Sequence, residues 1–359
     1  MKTPNPIEIV KSAPLPRVKK QFKANIYAHA LAFILNVSIF IFTENFFFIW
    51  VQIASLCFIG VNKSRSPQIV DMNMVNHFVA VMIFYIASML IGSNELLYLG
   101  LIFVFTYSFF IIRDNGYGQS FNLWMYIQAL LIGTTFTTYP FSFKVYATIV
   151  AFIESIIILN ITLFIFKNDN EHKVEHHYLK VIKIPLEKWL DIKHPEVKLA
   201  IRGAFTAAIL YAICKTFNDA KPNWAVVTAI SCLTRDDKVA SIRAMKGILI
   251  GTIVGWPICL AIAHYFDQDI VLITFMIWIF LLLGLISSFE ATIKPRLIIS
   301  VLTTISLLIA VACVGVAFHI NELNYINLKI INTIVGLTCA LTSLLIWGKM
   351  NQIFEEVET

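Results

Sequence analysis

Glu154 stands near the middle of a long apolar stretch, ATIVAFIESIIILNITLF. Inserting a charged side chain at that depth of a bilayer costs on the order of 2.5–3.5 kcal/mol. A carboxyl that takes up and releases a proton as a cavity changes access is what proton-coupled movement of a solute requires. The plainer alternative is a neutral Glu hydrogen-bonded between helices. Either way the side chain must face protein or water, because lipid offers it no partner.

Basic and hydroxyl groups occur at comparable depth further along. Arg202 lies about a turn and a half into an apolar stretch and is followed by Gly203, Thr206 and the small residues Ala204, Ala207 and Ala208. Its guanidinium can snorkel to the membrane surface or line the inner mouth of an anion pathway. In KPNWAVVTAISCLT (221–234), Pro222 and Trp224 mark an interface, and Thr228, Ser231 and Thr234 follow at spacings of three, on one helical face. Next come Arg243 and Lys246, then Gly247, Gly251, Thr252 and Gly255; close helix packing accounts for such a glycine stripe without any ligand. Lys329, Asn332, Thr333 and Gly336 again share one face.

The remaining reactive side chains point to no chemistry of their own. His29, His77, His264 and His319 stand singly and read as structural histidines. His172, His176 and His177 have the spacing of one histidine box, but a di-iron centre needs several such boxes on one membrane face. Cys57, Cys214, Cys232, Cys259, Cys313 and Cys339 all lie in apolar runs, without C-x-x-C pairs, and read as small buried hydrophobes. Nucleophile elbow, P-loop and dinucleotide glycine motifs are absent. No metal, cofactor or enzymatic activity is expected.

The elements that must position these residues are membrane helices. The 359 residues are 58% hydrophobic and 14% charged, with mean hydropathy +0.77. Soluble chains are roughly 45–50% apolar and about 25% charged, so this chain lacks the polar surface of a soluble enzyme or nucleic-acid module. A transmembrane helix needs about 20 mainly apolar residues. That criterion gives twelve spans, near 24–42, 46–62, 74–92, 96–112, 120–138, 143–166, 198–216, 222–234, 243–263, 270–288, 297–318 and 327–347. The expected fold is therefore an all-α integral membrane protein.

Lysine and arginine gather in cytoplasmic loops. With the N-terminus inside, 24 of the 28 basic residues fall on the cytoplasmic side, and only Lys144, Lys215, Lys221 and Lys329 fall outside. The net charge of +6 is thus mostly an orientation signal and calls for no nucleic-acid partner. The basic N-terminal segment, 1–23, is longer than a signal-peptide n-region, and no cleavable signal is expected in it. The expected domains are this segment, a first six-helix half (24–166), a linker with an amphipathic helix (167–197), a second six-helix half (198–348) and a tail (349–359). Both termini are cytoplasmic, and the even number of spans gives the halves parallel orientation. Trp50 and Trp224 head the second span of each half, yet a gapless comparison of 23–50 with 197–224 gives few identities.

The second half resembles the FUSC family, which includes fusaric-acid resistance proteins and aromatic acid exporters and is related to plant aluminium-activated malate transporters. The resemblance is carried by the Ala-rich span opening with Arg202, Pro-x-Trp-Ala at Pro222 to Ala225, the basic stretch before Gly-Thr-x-x-Gly at Gly251 to Gly255, and basic-x-x-polar-Thr-x-x-Gly at Lys329 to Gly336. In the last element the family commonly has Arg and Asp where this chain has Lys329 and Asn332. Larger members carry a sizeable cytoplasmic domain; this chain resembles the shorter branch, whose members are similar to efflux components working beside a periplasmic adaptor protein.

The resemblance implies an inner-membrane exporter of organic anions, aromatic carboxylates above all, driven by the proton motive force. Arg202, Arg243 and Lys246 are expected to attract and orient the anion, because basic groups beside a low-dielectric cavity raise its local concentration. Thr206, Trp224, Thr228, Ser231, Thr252, Lys329 and Asn332 are the expected pathway wall, and Glu154 the proton site. The partners are the lipid bilayer, the anion and an adaptor, with a second copy of the chain left open. A passive anion channel, a lipid-modifying enzyme and a non-transporting assembly subunit are the alternatives.

Overall fold

The computed structural model describes residues 15–43, 45, 47–61, 72–91, 94–112, 140–166, 189–192, 194–217, 222–233, 238–265 and 322–358, together with 301, 302, 304, 305, 308 and 309. Among these residues there are nine helices and no strand: α1 (Leu15–Thr43), α2 (Phe47–Val61), α3 (Met72–Ile91), α4 (Glu95–Ile112), α5 (Phe141–Ile165), α6 (Pro195–Thr216), α7 (Pro222–Leu233), α8 (Lys238–Tyr265) and α9 (Glu322–Glu358). They coincide with nine of the twelve expected spans. The spans expected at 120–138 and 270–288, the linker helix and its histidines lie outside the described residues, as does most of 297–318.

Six of the helices are long and apolar enough to cross a bilayer: Ala24–Thr43, Met74–Ile91, Phe141–Ile165, Val197–Thr216, Lys238–Ala261 and Ile326–Gly348. Their surfaces show why apolar composition, not amphipathicity, defines them. On α5 the exposed residues Tyr146, Val150, Ile153, Ile157, Ile161 and Phe164 recur every three or four positions, while Ala147, Ala151, Ser155, Leu159 and Thr162 line the opposite, buried face. A large side chain outside and a small or polar one inside is the pattern of a helix whose solvent is lipid.

Small residues let the helices approach. α1, α2 and α5 pack mutually, along seams that include Ala28, Ala32, Ala54, Ala147 and Ala151. α6, α7 and α9 form a second mutually packed trio, with Ala207, Ala225, Ala229 and Ala340 buried in it. An antiparallel pairing of α4 with α6 connects the two sets. Glu95 at the start of α4 meets Lys215 at the end of α6 (3.3 Å), and Tyr98 and Phe103 face Tyr211 and Phe205. At the other end Phe110 covers Gly203, whose missing side chain makes room for the ring: a Cβ there would lie 2.0 Å from Phe110 Cε2.

Candidate functional site

Glu154 is held by the first trio. Its Oε1 accepts a 2.8 Å hydrogen bond from Asn36 Nδ2 on α1, and its Oε2 accepts one of 3.0 Å from Ser55 Oγ on α2. The Asn36 amide also reaches Gln52 Oε1 at 3.1 Å and the Ala32 carbonyl at 2.9 Å, so its two N–H groups are divided among three oxygens. Asn36, Gln52 and Ser55 are buried, whereas Glu154 is only partly so. Beside it the Ser155 hydroxyl is buried with no hydrogen-bond partner among the described residues. The carboxyl therefore stands in a polar pocket at the meeting of three helices, where either protonation state finds partners: the carboxylate accepts from Asn36 and Ser55, and the acid can donate to a neighbouring oxygen.

The second trio holds a cation. Lys329 on α9 is only 4% exposed, and its Nζ lies 5.0 Å from the centre of the Trp224 ring on α7. Among the described residues no carboxylate lies within ion-pair distance of it. Asn332 and Thr333 share its buried face, and Thr333 Oγ1 donates back to the Lys329 carbonyl at 2.8 Å. α9 comes this close to α7 because Gly336 has no side chain: a Cβ would sit 2.5 Å from the Ala225 carbonyl oxygen and 2.9 Å from Thr228 Cβ. Thr228 is thus buried against Gly336, and its hydroxyl donates to the Trp224 carbonyl at 2.9 Å. Next to Trp224, Asn223 Nδ2 donates to the Tyr98 hydroxyl at 3.4 Å and ties α7 to α4.

The other residues singled out in the sequence are spread along the same helices. α7 has 12 residues, so it is about 18 Å long and too short to cross a hydrocarbon core of about 30 Å. At its C-terminal end Arg202 Nη2 donates to the Leu233 carbonyl at 3.4 Å, which meets one of the carbonyls a helix leaves without an internal partner. Lys329 and Arg202 therefore attend opposite ends of one short buried helix. Thr206 donates to the Arg202 carbonyl at 2.8 Å and shares a 2.9 Å hydrogen bond with Ser343 on α9. Ser231 donates to Val227, and the buried Thr252 to Ile248. Arg243 and Lys246 are exposed near the start of α8. Gly251 and Gly255 pack α8 against Val301, Thr304, Ile305 and Leu308, with a Cβ at Gly251 meeting the Val301 carbonyl oxygen at 2.7 Å.

The structure thus brings Trp224, Thr228, Lys329 and Asn332 to the α7–α9 seam and Arg202, Thr206 and Ser231 to its other reaches, while Glu154 belongs to the other trio. Thr234 lies outside the described residues. His29 differs from the expectation of a satisfied structural histidine: it is buried on α1, yet neither ring nitrogen has a hydrogen-bond partner among the described residues.

Residues 207–343 match the family model described as fusaric acid resistance protein-like. No curated protein and no solved structure matches the chain. The matched stretch runs from within α6 to within α9 and contains Trp224, Thr228, Lys329 and Asn332. This second part of the membrane chain, with its buried lysine over a tryptophan, is therefore similar to the FUSC (fusaric acid resistance protein-like) family over residues 207–343.

Proposed function

We propose that the protein exports organic anions, aromatic carboxylates in particular, across a bacterial inner membrane at the expense of the proton gradient. The observation that carries this reading is Lys329: a buried amine held over Trp224 with no carboxylate beside it among the described residues. A charge in that setting retains a desolvation cost of several kcal/mol unless an opposite charge reaches it. An aromatic carboxylate supplies that charge, and its ring suits the flat apolar face of Trp224. Asn332 offers a further polar group on the same face. Arg202, near the other end of α7, with Arg243 and Lys246 beyond it, supports an attractive potential for the same anion at the entry side.

Glu154 is the proton site of this reading. Its carboxyl is partly exposed and has donors on two neighbouring helices, so a change of protonation alters the contacts that hold α5 to α1 and α2. Twelve spans in two parallel six-helix halves with cytoplasmic termini, and a periplasmic adaptor that carries the anion onward, complete the proposal. Two packed trios, α1–α2–α5 and α6–α7–α9, support the division into halves.

Growth tests it first. A strain overproducing the protein tolerates higher concentrations of aromatic acids than a deletion strain does, and the difference disappears when the proton gradient is collapsed. Equal tolerance in both strains across a panel of aromatic and aliphatic acids would overturn the export reading. Anion current in a planar bilayer without any proton gradient would replace the exporter with a channel.

A further inference from the structure

Around Asn36 the count of hydrogens and oxygens does not close. Its Nδ2 stands 2.9 Å from the Ala32 carbonyl oxygen, 3.1 Å from Gln52 Oε1 and 2.8 Å from Glu154 Oε1. Oxygens from α1, α2 and α5 thus share the two hydrogens of one nitrogen, and one acceptor goes short. Both amides are buried, Asn36 at 2% exposure and Gln52 at 1%, so a short acceptor there keeps its cost. Gln52 also lies one turn before Ser55 on the same face of α2, and Ser55 Oγ donates to the other carboxyl oxygen of Glu154 at 3.0 Å. The carboxyl is therefore flanked by this face of α2.

The orientation of the Gln52 amide narrows what can supply the missing hydrogen. Its oxygen accepts from Asn36, while its Nε2 is buried with no hydrogen-bond partner among the described residues. An amide beside a carboxylate gains by turning its N–H groups to the negative oxygen; one that presents its own oxygen suits a neighbour that donates. A proton on Glu154 Oε1 makes that neighbour a donor. Two N–H groups and one O–H then serve three oxygens: Asn36 donates to the Ala32 carbonyl and to Glu154 Oε1, and the new hydroxyl donates to Gln52 Oε1.

We infer that Gln52 is the acceptor of the Glu154 acid proton, the residue on α2 that holds this carboxyl in its neutral form. The inference rests on Glu154 being the proton site. Binding a proton at Oε1 adds a bond from α5 to α2 beside that of Ser55; releasing it breaks that bond and returns Gln52 to competing for the Asn36 hydrogens. Gln52 thus sets the proton affinity and ties it to the α2–α5 seam. The helices packed against α5 are α1, α2 and α3. Their described titratable side chains within the apolar spans are Tyr27 and His29, Cys57, and His77 and Tyr85, and α5 itself adds Lys144 and Tyr146. None of these bonds to Glu154, whose hydrogen-bond partners among the described residues are Asn36 and Ser55. Uncharged neighbours therefore govern its proton.

Infrared titration of the purified full-length chain tests this. A protonated carboxyl has a carbonyl band that a carboxylate lacks, and subtracting the spectra of Glu154→Gln assigns the band to Glu154. Gln52→Met keeps the length of the side chain and removes the acceptor. It should move the midpoint of the band about 0.5–1 pH unit lower, a three- to tenfold loss of proton affinity and the usual worth of one hydrogen bond. Gln52→Glu sets a second carboxyl beside the first, so the pair should hold a proton to higher pH than the wild type does. That variant reads the same contact if Gln52→Met fails to insert. A midpoint at or above the wild-type value in Gln52→Met, or at or below it in Gln52→Glu, would overturn the role of Gln52 and spare Glu154 as the proton site. No titrating band in the wild type over the pH range in which it stays folded would overturn both.

Discussion

Asn36 on α1 donates a 2.8 Å hydrogen bond to Oε1 of Glu154 on α5, across 118 positions of sequence. That bond, with the one from Ser55, makes a membrane-depth carboxyl the point where three helices meet. Glutamine at position 154 keeps an oxygen for Asn36 to donate to, presents an NH2 that the Ser55 hydroxyl can turn to accept from, and cannot titrate. Glu154→Gln is therefore expected to insert and unfold like the wild type while losing export driven by an imposed proton gradient in vesicles. Asn36→Ala separates the two roles. It leaves buried acceptors unmet, at a cost of about 1–3 kcal/mol, and should lower the thermal unfolding midpoint. Undiminished proton-driven export by Glu154→Gln would remove the carboxyl from the mechanism.

Gly336 is the residue whose size sets the α7–α9 distance. An added Cβ would lie 2.5 Å from the Ala225 carbonyl oxygen, and backbone yields less readily than a side chain. Gly336→Ala should destabilise the detergent-solubilised protein by about 1–3 kcal/mol, the usual cost of overpacking. Gly60→Ala is the control: its Cβ meets nothing within 4 Å, and alanine favours helix, so thermal stability should hold or rise. Equal effects at the two positions would contradict this packing.

The α4–α6 seam can be tested by compensation. Gly203→Ala drives a methyl into the Phe110 ring, and Phe110→Leu alone opens a void over the glycine. Together the changes should cost less than the sum of the two, by 0.5 kcal/mol or more in a thermal-stability cycle. Strict additivity would mean that the two residues do not touch.

The helices were largely legible in the sequence because lipid demands a continuous apolar run, and nine runs became helices at nearly the expected places. The side-chain constellations were less so. Glu154 announced itself by its depth, but its partners Asn36 and Ser55 stand 118 and 99 positions away, and no run of hydropathy fixes how helices are rotated toward one another. Asn36 and Ser55 were visible as polar residues within apolar runs, which is the signal that could have paired them with Glu154. Thr228 shows the opposite difficulty. A hydroxyl face turned away from lipid can line water or pack on a glycine, and here it packs on Gly336. Lys144 counted in the sequence only as a charge on the unexpected side. Its likeness to Lys329 emerges when KVYATIVA (144–151) and KIINTIVG (329–336), near the starts of α5 and α9, are laid together, not when the starts of the two halves are.

Arg202 combines a structural contact with a proposed functional one. Its hydrogen bond to Leu233 steadies the end of a short helix, and its charge faces the proposed entry side. Arg202→Ala should raise the benzoate concentration needed for half-maximal transport about tenfold or more while leaving the maximal rate within a few-fold. An unchanged concentration dependence with a lower unfolding midpoint would reduce Arg202 to a helix cap.

The central claim is that Lys329 holds the transported anion, and benzoate flux into inside-out vesicles measures it most directly. Wild-type vesicles energised with a proton gradient should accumulate benzoate, Lys329→Arg should retain much of that rate, and Lys329→Gln, inserted to the same level, should lose at least nine-tenths of it. Wild-type flux from Lys329→Gln would contradict the account, because the buried cation would then have no part in moving the anion.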